Sequence, residues 1–156
     1  MLKYLSLSGV IIALDQLSKW YMASWLALYE TVPVMPNFNF TMAHNHGAAF
    51  SFLAQAGGWQ RWFFIVLALV ISAVLVVWLA KLKPHAKLEA FSLSLILGGA
   101  IGNVIDRIIH GYVIDFLDVY IGTSHWPAFN IADSAICIGA VLLIIDSFKA
   151  QDESIA

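Results

Sequence analysis

One stretch constrains this chain most: residues Trp62 to Ala80, WFFIVLALVISAVLVVWLA, hold no charged residue, no proline and no glycine. A helix of about 20 apolar residues spans the hydrocarbon core of a bilayer. Of the 156 residues, 61% are hydrophobic and only 12% are charged, whereas a soluble domain carries about 25% charged residues. The chain is therefore predicted to be an integral membrane protein rather than a water-soluble globule, and its net charge of −2 favours no nucleic-acid partner.

Three further stretches reach a similar length if polar residues within them are tolerated. The first contains Asp15 and Lys19, and the other two contain Asp106 and Asp133. None shows the alternation that is typical of a membrane barrel strand. We therefore predict an all-α membrane protein, a single domain over residues 1–156 with four transmembrane helices. Their predicted bounds are about 4–25, 62–82, 88–109 and 129–148.

Lysines are unevenly distributed between the two ends of these helices. Lys3, Lys149 and the lysines of the 81–87 loop fall on one side of a four-helix arrangement. Because short cytoplasmic loops are enriched in Lys and Arg, both termini are predicted to be cytoplasmic. The segments at about 27–61 and 110–128 then lie outside.

The two outer segments differ in pattern. Residues 37–42 alternate polar and apolar side chains, which is typical of a strand, and the Gly57-Gly58 pair follows as a breaker. Segment 27–61 is therefore predicted to form a small, partly β extracytoplasmic platform. Segment 110–128 is richer in apolar residues and is predicted to be an interfacial loop in the headgroup layer.

Charged side chains near the centre of a transmembrane helix cost roughly 2.5–3.5 kcal/mol each, so they need partners. Asp15 and Lys19 are four residues apart and share one helix face. We predict a salt bridge that tethers helices, with a charge at an active centre as the alternative. In the third helix, Asn103 and Arg107 could equally serve a polar site or structure alone, and Asp106 is expected to act through its place beside Arg107.

Asp115 and Asp133 lie at the two ends of the second outer segment. Asp115 follows the third helix and Asp133 lies about one turn inside the fourth, so both reach one depth at one face. Two carboxyl groups near one water can hydrolyse a peptide bond, because they share a proton and supply both an acid and a base. On position alone, Asp106 and Asp118 are alternatives, and Asp133 fits equally well as a helix N-terminal acid.

Other chemistries have weaker support. The pair of histidines in His44-Asn45-His46 has no nearby acidic ligand in the sequence, which is weak support for zinc. Cys137 lies in an apolar run, where a thiol is usually inert. No metal ion and no cofactor are predicted. A transporter or channel subunit and a non-catalytic assembly factor remain alternatives to an enzyme.

Four blocks of residues stand in a characteristic order along nearly the whole chain. They are Asp15-Gln16-x-x-Lys19, Asn45-x-Gly47-Ala48-Ala49-Phe50, Gly102-Asn103-x-x-Asp106-Arg107-x-x-x-Gly111-x-Val113-x-Asp115-Phe116, and Phe129-Asn130-x-Ala132-Asp133. In these blocks the chain resembles the bacterial lipoprotein signal peptidases, also called signal peptidase II.

The resemblance implies an aspartic endopeptidase of the inner membrane. Its substrates would be prolipoproteins that carry a diacylglyceryl group, cleaved just before the lipidated cysteine to release the signal peptide. The implied partners are these substrates and membrane lipid, and we expect a monomer with its active site near the outer face.

The resemblance also assigns roles to residues. It makes Asp115 and Asp133 the catalytic pair, which places Asp106 and Asp118 outside it. Substrate binding or support of the pair is implied for Asn45, Gly47, Asn103, Arg107 and Asn130. A structural role is implied for Asp15, Lys19 and Asp106.

The predicted orientation can be tested by labelling single cysteines. In a variant with Cys137 replaced by Ser, a cysteine at Lys83 should be protected from an impermeant reagent added outside, and one at Ser124 should react. The measurement is labelling of intact and permeabilised cells. Labelling of position 83 from outside would overturn the topology.

Overall fold

The computed structural model describes residues 1–47 and 57–155, with side chains as far as Phe148. After a short 3-10 helix, the elements are α1 (Leu5–Trp25), β1 (Thr31–Met35), β2 (Phe38–Asn45), α2 (Trp59–Lys81), α3 (Lys87–Ile109), β3 (Val113–Ile121), β4 (Ser124–His125) and α4 (Ile131–Ile155). Ala48, Ala49 and Phe50 of the second sequence block, with the rest of 48–56, lie outside the described residues.

The four predicted helices are present, with ends shifted by a few residues. Helix α2 begins at Trp59 because Gly58 adopts a left-handed conformation with φ 99° at its N-terminus. There the Gly58 N–H donates to Gln60 Oε1 at 2.7 Å. Helix α4 begins at Ile131 because Phe129 is still paired with Leu117 in a β-bridge.

By length and apolar composition, three helices of the described part could cross a membrane: Trp59–Lys81, Lys87–Ile109 and Ile131–Phe148. Helix α1 has 21 residues but is not among them. It carries Asp15 and Lys19, and these two charged residues lower the mean apolar character of the helix. The structure thus supports a mainly helical membrane protein and leaves the count of four spans as a prediction.

Helix α3 lies at the centre of the bundle and contacts α1, α2 and α4. Most of α3 is buried, whereas α2 and α4 expose most of their apolar side chains, as lipid-facing helices do. Glycines allow this close packing. A Cβ on Gly98 would lie 2.8 Å from Ile11 Cβ, and one on Gly102 would lie 2.6 Å from Asp15 Oδ2.

The prediction of an all-α chain with an interfacial loop at 110–128 is wrong in one respect. The four strands form one antiparallel sheet in the order β1-β2-β3-β4, so β3 and β4 lie in the supposed loop. Residues 113–116 are all buried, Asp115 among them, so both faces of this strand are covered and its sequence lacks the alternation that predicts a strand. Strand β2 confirms the predicted strand at 37–42.

The sheet packs on one end of α1 and positions two site residues. Met22 of α1 and Leu26 directly after it form a buried cluster with Met42, Ile114 and Phe116 of the sheet. In the β2–β3 register, Ala43 is opposite Asp115, and Asn45 is opposite Val113. The packing therefore holds the middle of β3 against the end of the helix bundle.

Replacing Gly99 with Ala should destabilise the fold by about 1–3 kcal/mol, because overpacking forces backbone to shift. A Cβ there would overlap the Ala132 carbonyl oxygen and lie 2.8 Å from Ile136 Cγ1. Gly9 is a matched control in α1, since a Cβ there meets nothing within 4 Å. Gly9→Ala should keep or raise the melting temperature in detergent. A Gly99→Ala protein as stable as the parent would contradict the packing.

Candidate active site

Two carboxyl groups from different elements line one cavity of about 690 Å³ at the end of the bundle that carries the sheet. Asp115 comes from the middle of β3, and Asp133 from the first turn of α4. Asn45, Asn103 and Arg107 line the same cavity. The structure therefore brings together polar residues from four separate parts of the chain.

Asp115 is buried, and both of its oxygens accept hydrogen bonds. Asn130 Nδ2 donates to Oδ1 at 2.7 Å, and Asn45 Nδ2 donates to Oδ2 at 3.2 Å. Burial, together with the nearby Asp133 carboxylate, raises the pKa of Asp115 to about 7, although the two amide donors act in the opposite direction. Asp115 therefore holds a proton at a pH where an exposed carboxyl is fully ionised.

Asp133 is held by one neighbour through its side chain and by another through its backbone N–H. Asn103 Nδ2 donates to Asp133 Oδ1 at 2.8 Å, and the Asp133 N–H donates to Asn130 Oδ1 at 2.9 Å. Asn130 directly precedes α4, where an asparagine side chain commonly accepts from the third helical N–H. Because the other end of the same amide donates to Asp115, Asn130 links the two carboxyl-bearing segments.

Lys19 forms a buried cluster with two carboxylates beside this pair. Its ammonium Nζ lies 2.8 Å from Asp15 Oδ2 and 2.9 Å from Asp106 Oδ2, and it donates to Asn103 Oδ1 at 3.0 Å. The Asp15–Lys19 salt bridge predicted from the sequence is thus present. The structural role expected for Asp106 stays a prediction, but the partner of its carboxylate is Lys19 and not the adjacent Arg107.

The two carboxylates of this cluster also bind the backbone next to the pair. Asp106 Oδ2 accepts from the Ile114 N–H at 3.0 Å, and Asp15 Oδ1 accepts from the Ala132 N–H at 2.9 Å. Ile114 precedes Asp115 and Ala132 precedes Asp133. Each catalytic candidate therefore follows an amide that is anchored to the cluster.

Arg107 reaches from α3 across to the end of β2. Its guanidinium donates to the Gly47 carbonyl at 2.8 Å and lies 5.2 Å from the centre of the Phe64 ring. Gly47 in turn donates its N–H to Asn45 Oδ1 at 3.0 Å. Gly47 thus takes part through its backbone, holding the side chain that donates to Asp115.

Asp118, the other sequence candidate, lies outside the cavity lining. Its carboxylate accepts from Asn39 Nδ2 at 2.7 Å and contacts His125 Nδ1 at 2.9 Å. These contacts connect β2 with the β3–β4 hairpin. The observed role of Asp118 is to join strands.

Two residues near the site were given no role in it from the sequence, although His44 was weighed as a weak zinc ligand. Gln16 donates to Asp106 Oδ1 at 2.8 Å, and its place next to Asp15 in the first block was the available signal. His44 lines the cavity and stacks on Tyr112 at 3.8 Å between ring centres. Burial, followed by the charges of neighbouring histidines, lowers the pKa of His44, which favours the neutral ring.

Replacing Asp115 with Asn should reduce the pH dependence of stability. The folded-state pKa of Asp115 is raised from 3.8 to about 7, so the stability that this group contributes is full at acid pH and is lost as the pH rises through about 7. Asparagine carries no such proton. The melting temperature of the parent should therefore fall more between about pH 5 and about pH 8 than that of Asp115→Asn. An equal fall in both proteins would contradict the raised pKa.

Comparison with known proteins places the chain in a family. The family model described as "Signal peptidase (SPase) II" matches residues 7–149. A protein of Alteromonas mediterranea named "Lipoprotein signal peptidase" is 55% identical over 97% of this chain and 84% of its own. One of the same name from Photorhabdus laumondii is 53% identical over 97% of this chain and 91% of its own.

Solved structures agree with these relatives. One described as "Bacterial membrane enzyme structure by the in meso method at 2.3 A resolution" has a TM-score of 0.85 and 32% identity, over 97% of this chain and 90% of that one. A second, similarly described, has a TM-score of 0.77 at 32% identity over 92% and 90%. The resemblance seen in the sequence blocks is confirmed: the chain belongs to the signal peptidase II family.

Proposed function

We propose that this chain is an aspartic endopeptidase that removes signal peptides from diacylglyceryl-modified prolipoproteins, cutting before the lipidated cysteine. Family membership makes it a peptidase, and relatives named lipoprotein signal peptidase at about 55% identity support prolipoprotein signal peptides as its substrates. The observation that carries the aspartic mechanism is the convergence of Asp115 and Asp133 on one cavity, with the pKa of Asp115 raised to about 7.

In this mechanism the two carboxyl groups divide one proton between them. The ionised member accepts a proton from the attacking water, and the protonated member donates to the oxygen of the scissile carbonyl. The tetrahedral intermediate then collapses and releases the new amino terminus. The chemistry needs no covalent enzyme intermediate, and the absence of a metal ion or cofactor stays a prediction.

The surrounding amides keep the pair in position for this reaction. Asn45 and Asn130 hold Asp115, and Asn103 holds Asp133. Such donors stabilise the ionised form of a carboxyl and offset part of the cost of burying it. Arg107 lines the cavity, and we propose that it and Asn45 also contact the substrate backbone.

The cavity wall suits an apolar substrate. Beside the polar residues it is lined by Val113, Trp126, Pro127, Phe129 and Ile136. A signal peptide next to a lipidated cysteine is itself apolar and remains in the bilayer. An apolar wall next to two carboxyl groups therefore fits a scissile bond presented at the membrane surface.

We also propose that α1 is a fourth span. Its Asp15 and Lys19 are 0% and 2% exposed, so the charges that lower its apolar character face α3 rather than lipid. The side chains that α1 exposes include Leu14, Leu17 and Trp20. With four spans both termini lie on one side, and the lysine distribution favours the cytoplasm for that side. We propose on this basis that the cavity lies near the outer face of the plasma membrane and that the enzyme acts as a monomer.

The rival functions have less support. A transporter commonly holds its polar site at mid-bilayer on broken helices, whereas this cavity lies at one end of continuous helices. An assembly factor has no need for two carboxyl groups, Asp115 and Asp133, that line one cavity. Family membership points the same way.

Asp115→Asn and Asp133→Asn should each reduce turnover of a diacylglyceryl-modified precursor by at least about 10²–10⁴-fold, since each removes an acid–base group. Folded yield and membrane insertion should persist, because asparagine keeps the shape. Asp118→Asn is the matched control and should retain most activity. A chelator should have little effect.

The assay compares purified variants at equal folded yield in detergent. Retained turnover in either the Asp115 or the Asp133 variant would remove the shared-proton pair as the mechanism. A loss in Asp118→Asn as large as in those two would show that the loss of any buried carboxylate is sufficient.

A further inference from the structure

Lys19 lies on a helix that contributes no residue to the cavity lining, yet it is one side chain away from the reacting pair. The lysine is 2% exposed. Its ammonium donates to Asn103 Oδ1 at 3.0 Å, and Asn103 Nδ2 donates to Asp133 Oδ1 at 2.8 Å. A continuous chain of two hydrogen bonds thus runs from α1 to α4.

The ammonium is the shorter of two donors that set which end of the Asn103 amide faces Asp133, since Asn130 Nδ2 lies 3.4 Å from the same Asn103 Oδ1. A lysine side chain only donates hydrogen bonds, so the end of Asn103 next to it must be the carbonyl oxygen. The NH₂ end then faces Asp133, where a donor stabilises an ionised carboxylate. With the amide reversed, two oxygens would face each other across this contact.

The acceptors around Lys19 make this dependence stronger. Asp15 and Asp106 lie 2.8 and 2.9 Å from the same ammonium. Without Lys19 these two carboxylates would have no cation between them. Gln16 Nε2 would still donate to Asp15 Oδ2 and Asp106 Oδ1, but the Asp106 Oδ2 that Lys19 contacts would be open to a turned NH₂ of Asn103. Loss of the lysine therefore favours the reversed amide.

Asp15 provides a second connection to the same place. Its Oδ1 accepts from the Ala132 N–H at 2.9 Å, immediately before Asp133. The fit is close, since a Cβ on Gly102 would lie 2.6 Å from Asp15 Oδ2. Lys19 holds Asp15 in this position through the salt bridge.

We propose that Lys19 is a positioning residue for catalysis: by fixing the amide of Asn103 it orients Asp133 for proton transfer. The proposal rests on the proposed function of Asp115 and Asp133. It goes beyond a tether, because a tether would affect stability without affecting the chemistry of the pair.

The charge of Lys19 provides a readout that a structural role does not share. The Lys19 ammonium lowers the pKa of Asp115, against the larger upward effects of burial and of Asp133. The other charged groups around the pair are Asp15 on α1, Asp106 and Arg107 on α3, and His44, when protonated, on β2. Removing Lys19 alone should shift both limbs of the pH–rate profile to higher pH.

The test is a double-mutant cycle on turnover of a diacylglyceryl-modified precursor by the full chain in detergent. Lys19→Met and Asn103→Ala should each lower kcat by about 10²-fold with little change in KM, the loss typical of a misplaced catalytic group. The kcat of the double variant should be no lower than that of the less active single variant, because both changes act on one interaction. Lys19→Gln keeps a donor for Asn103 and should recover part of kcat.

Ser8→Ala is the matched control for loss of a buried contact on α1. Ser8 donates to the Ser94 carbonyl at 2.8 Å, away from the cavity lining. This variant should lower the melting temperature and leave both limbs of the pH profile in place.

Three results would overturn the proposal: multiplicative losses in the double variant, unchanged pH limbs, or equal activity of Lys19→Gln and Lys19→Met. If Lys19→Met does not fold, the same cycle is run with Lys19→Gln. If the losses multiply while Asp115→Asn and Asp133→Asn remain inactive, only the proposed role of Lys19 is contradicted. Retained turnover in those two variants would remove the proposed function as well.

Discussion

The arrangement of the site depends on one constraint: a charge buried among transmembrane helices must be paired. Insertion of an unpaired charge at mid-bilayer costs roughly 2.5–3.5 kcal/mol, and Lys19 meets this constraint with Asp15 and Asp106 at once. The two carboxylates then bind the amides of Ile114 and Ala132. Pairing one lysine thus joins α1 and α3 to the residues that directly precede Asp115 in β3 and Asp133 in α4.

The pair itself is held at some cost to the fold. Burial raises the pKa of Asp115 to about 7, so ionising it in the folded protein is harder than in water. Amides from Asn45, Asn103 and Asn130 offset part of this cost without supplying a charge. Sites of this kind commonly trade stability for activity, and the asparagines allow the acids to remain close without neutralising either of them.

Local sequence signals predicted part of this arrangement. The uncharged run of α2 and the four-residue spacing of Asp15 and Lys19 are short-range patterns, and both agree with the structure. Strand β3 was missed because its buried residues do not alternate. The Lys19–Asp106 pair was missed because nothing in local periodicity reports contacts between α1 and α3.

Among the site residues, too, the sequence predicted some features and not others. The order of motif blocks identified Asp115 and Asp133, whereas the link through Asn130 depends on both ends of one amide. Arg107 was expected near the site, but its partner is the Gly47 carbonyl, and a backbone group leaves no trace in residue type. Such contacts become visible only when the strand and the helices are placed together.

The glycine contacts between α3 and α4 have a consequence for access to the dyad. A Cβ on Gly99 would overlap the Ala132 carbonyl, and one on Gly139 would lie 2.7 Å from the Ser92 carbonyl. The two helices therefore contact each other closely at two levels about two turns apart, which leaves little room for larger side chains between them. The remaining cavity wall comes from β2, β3 and residues 126–128, so differences in substrate preference among relatives are expected to concentrate in that wall.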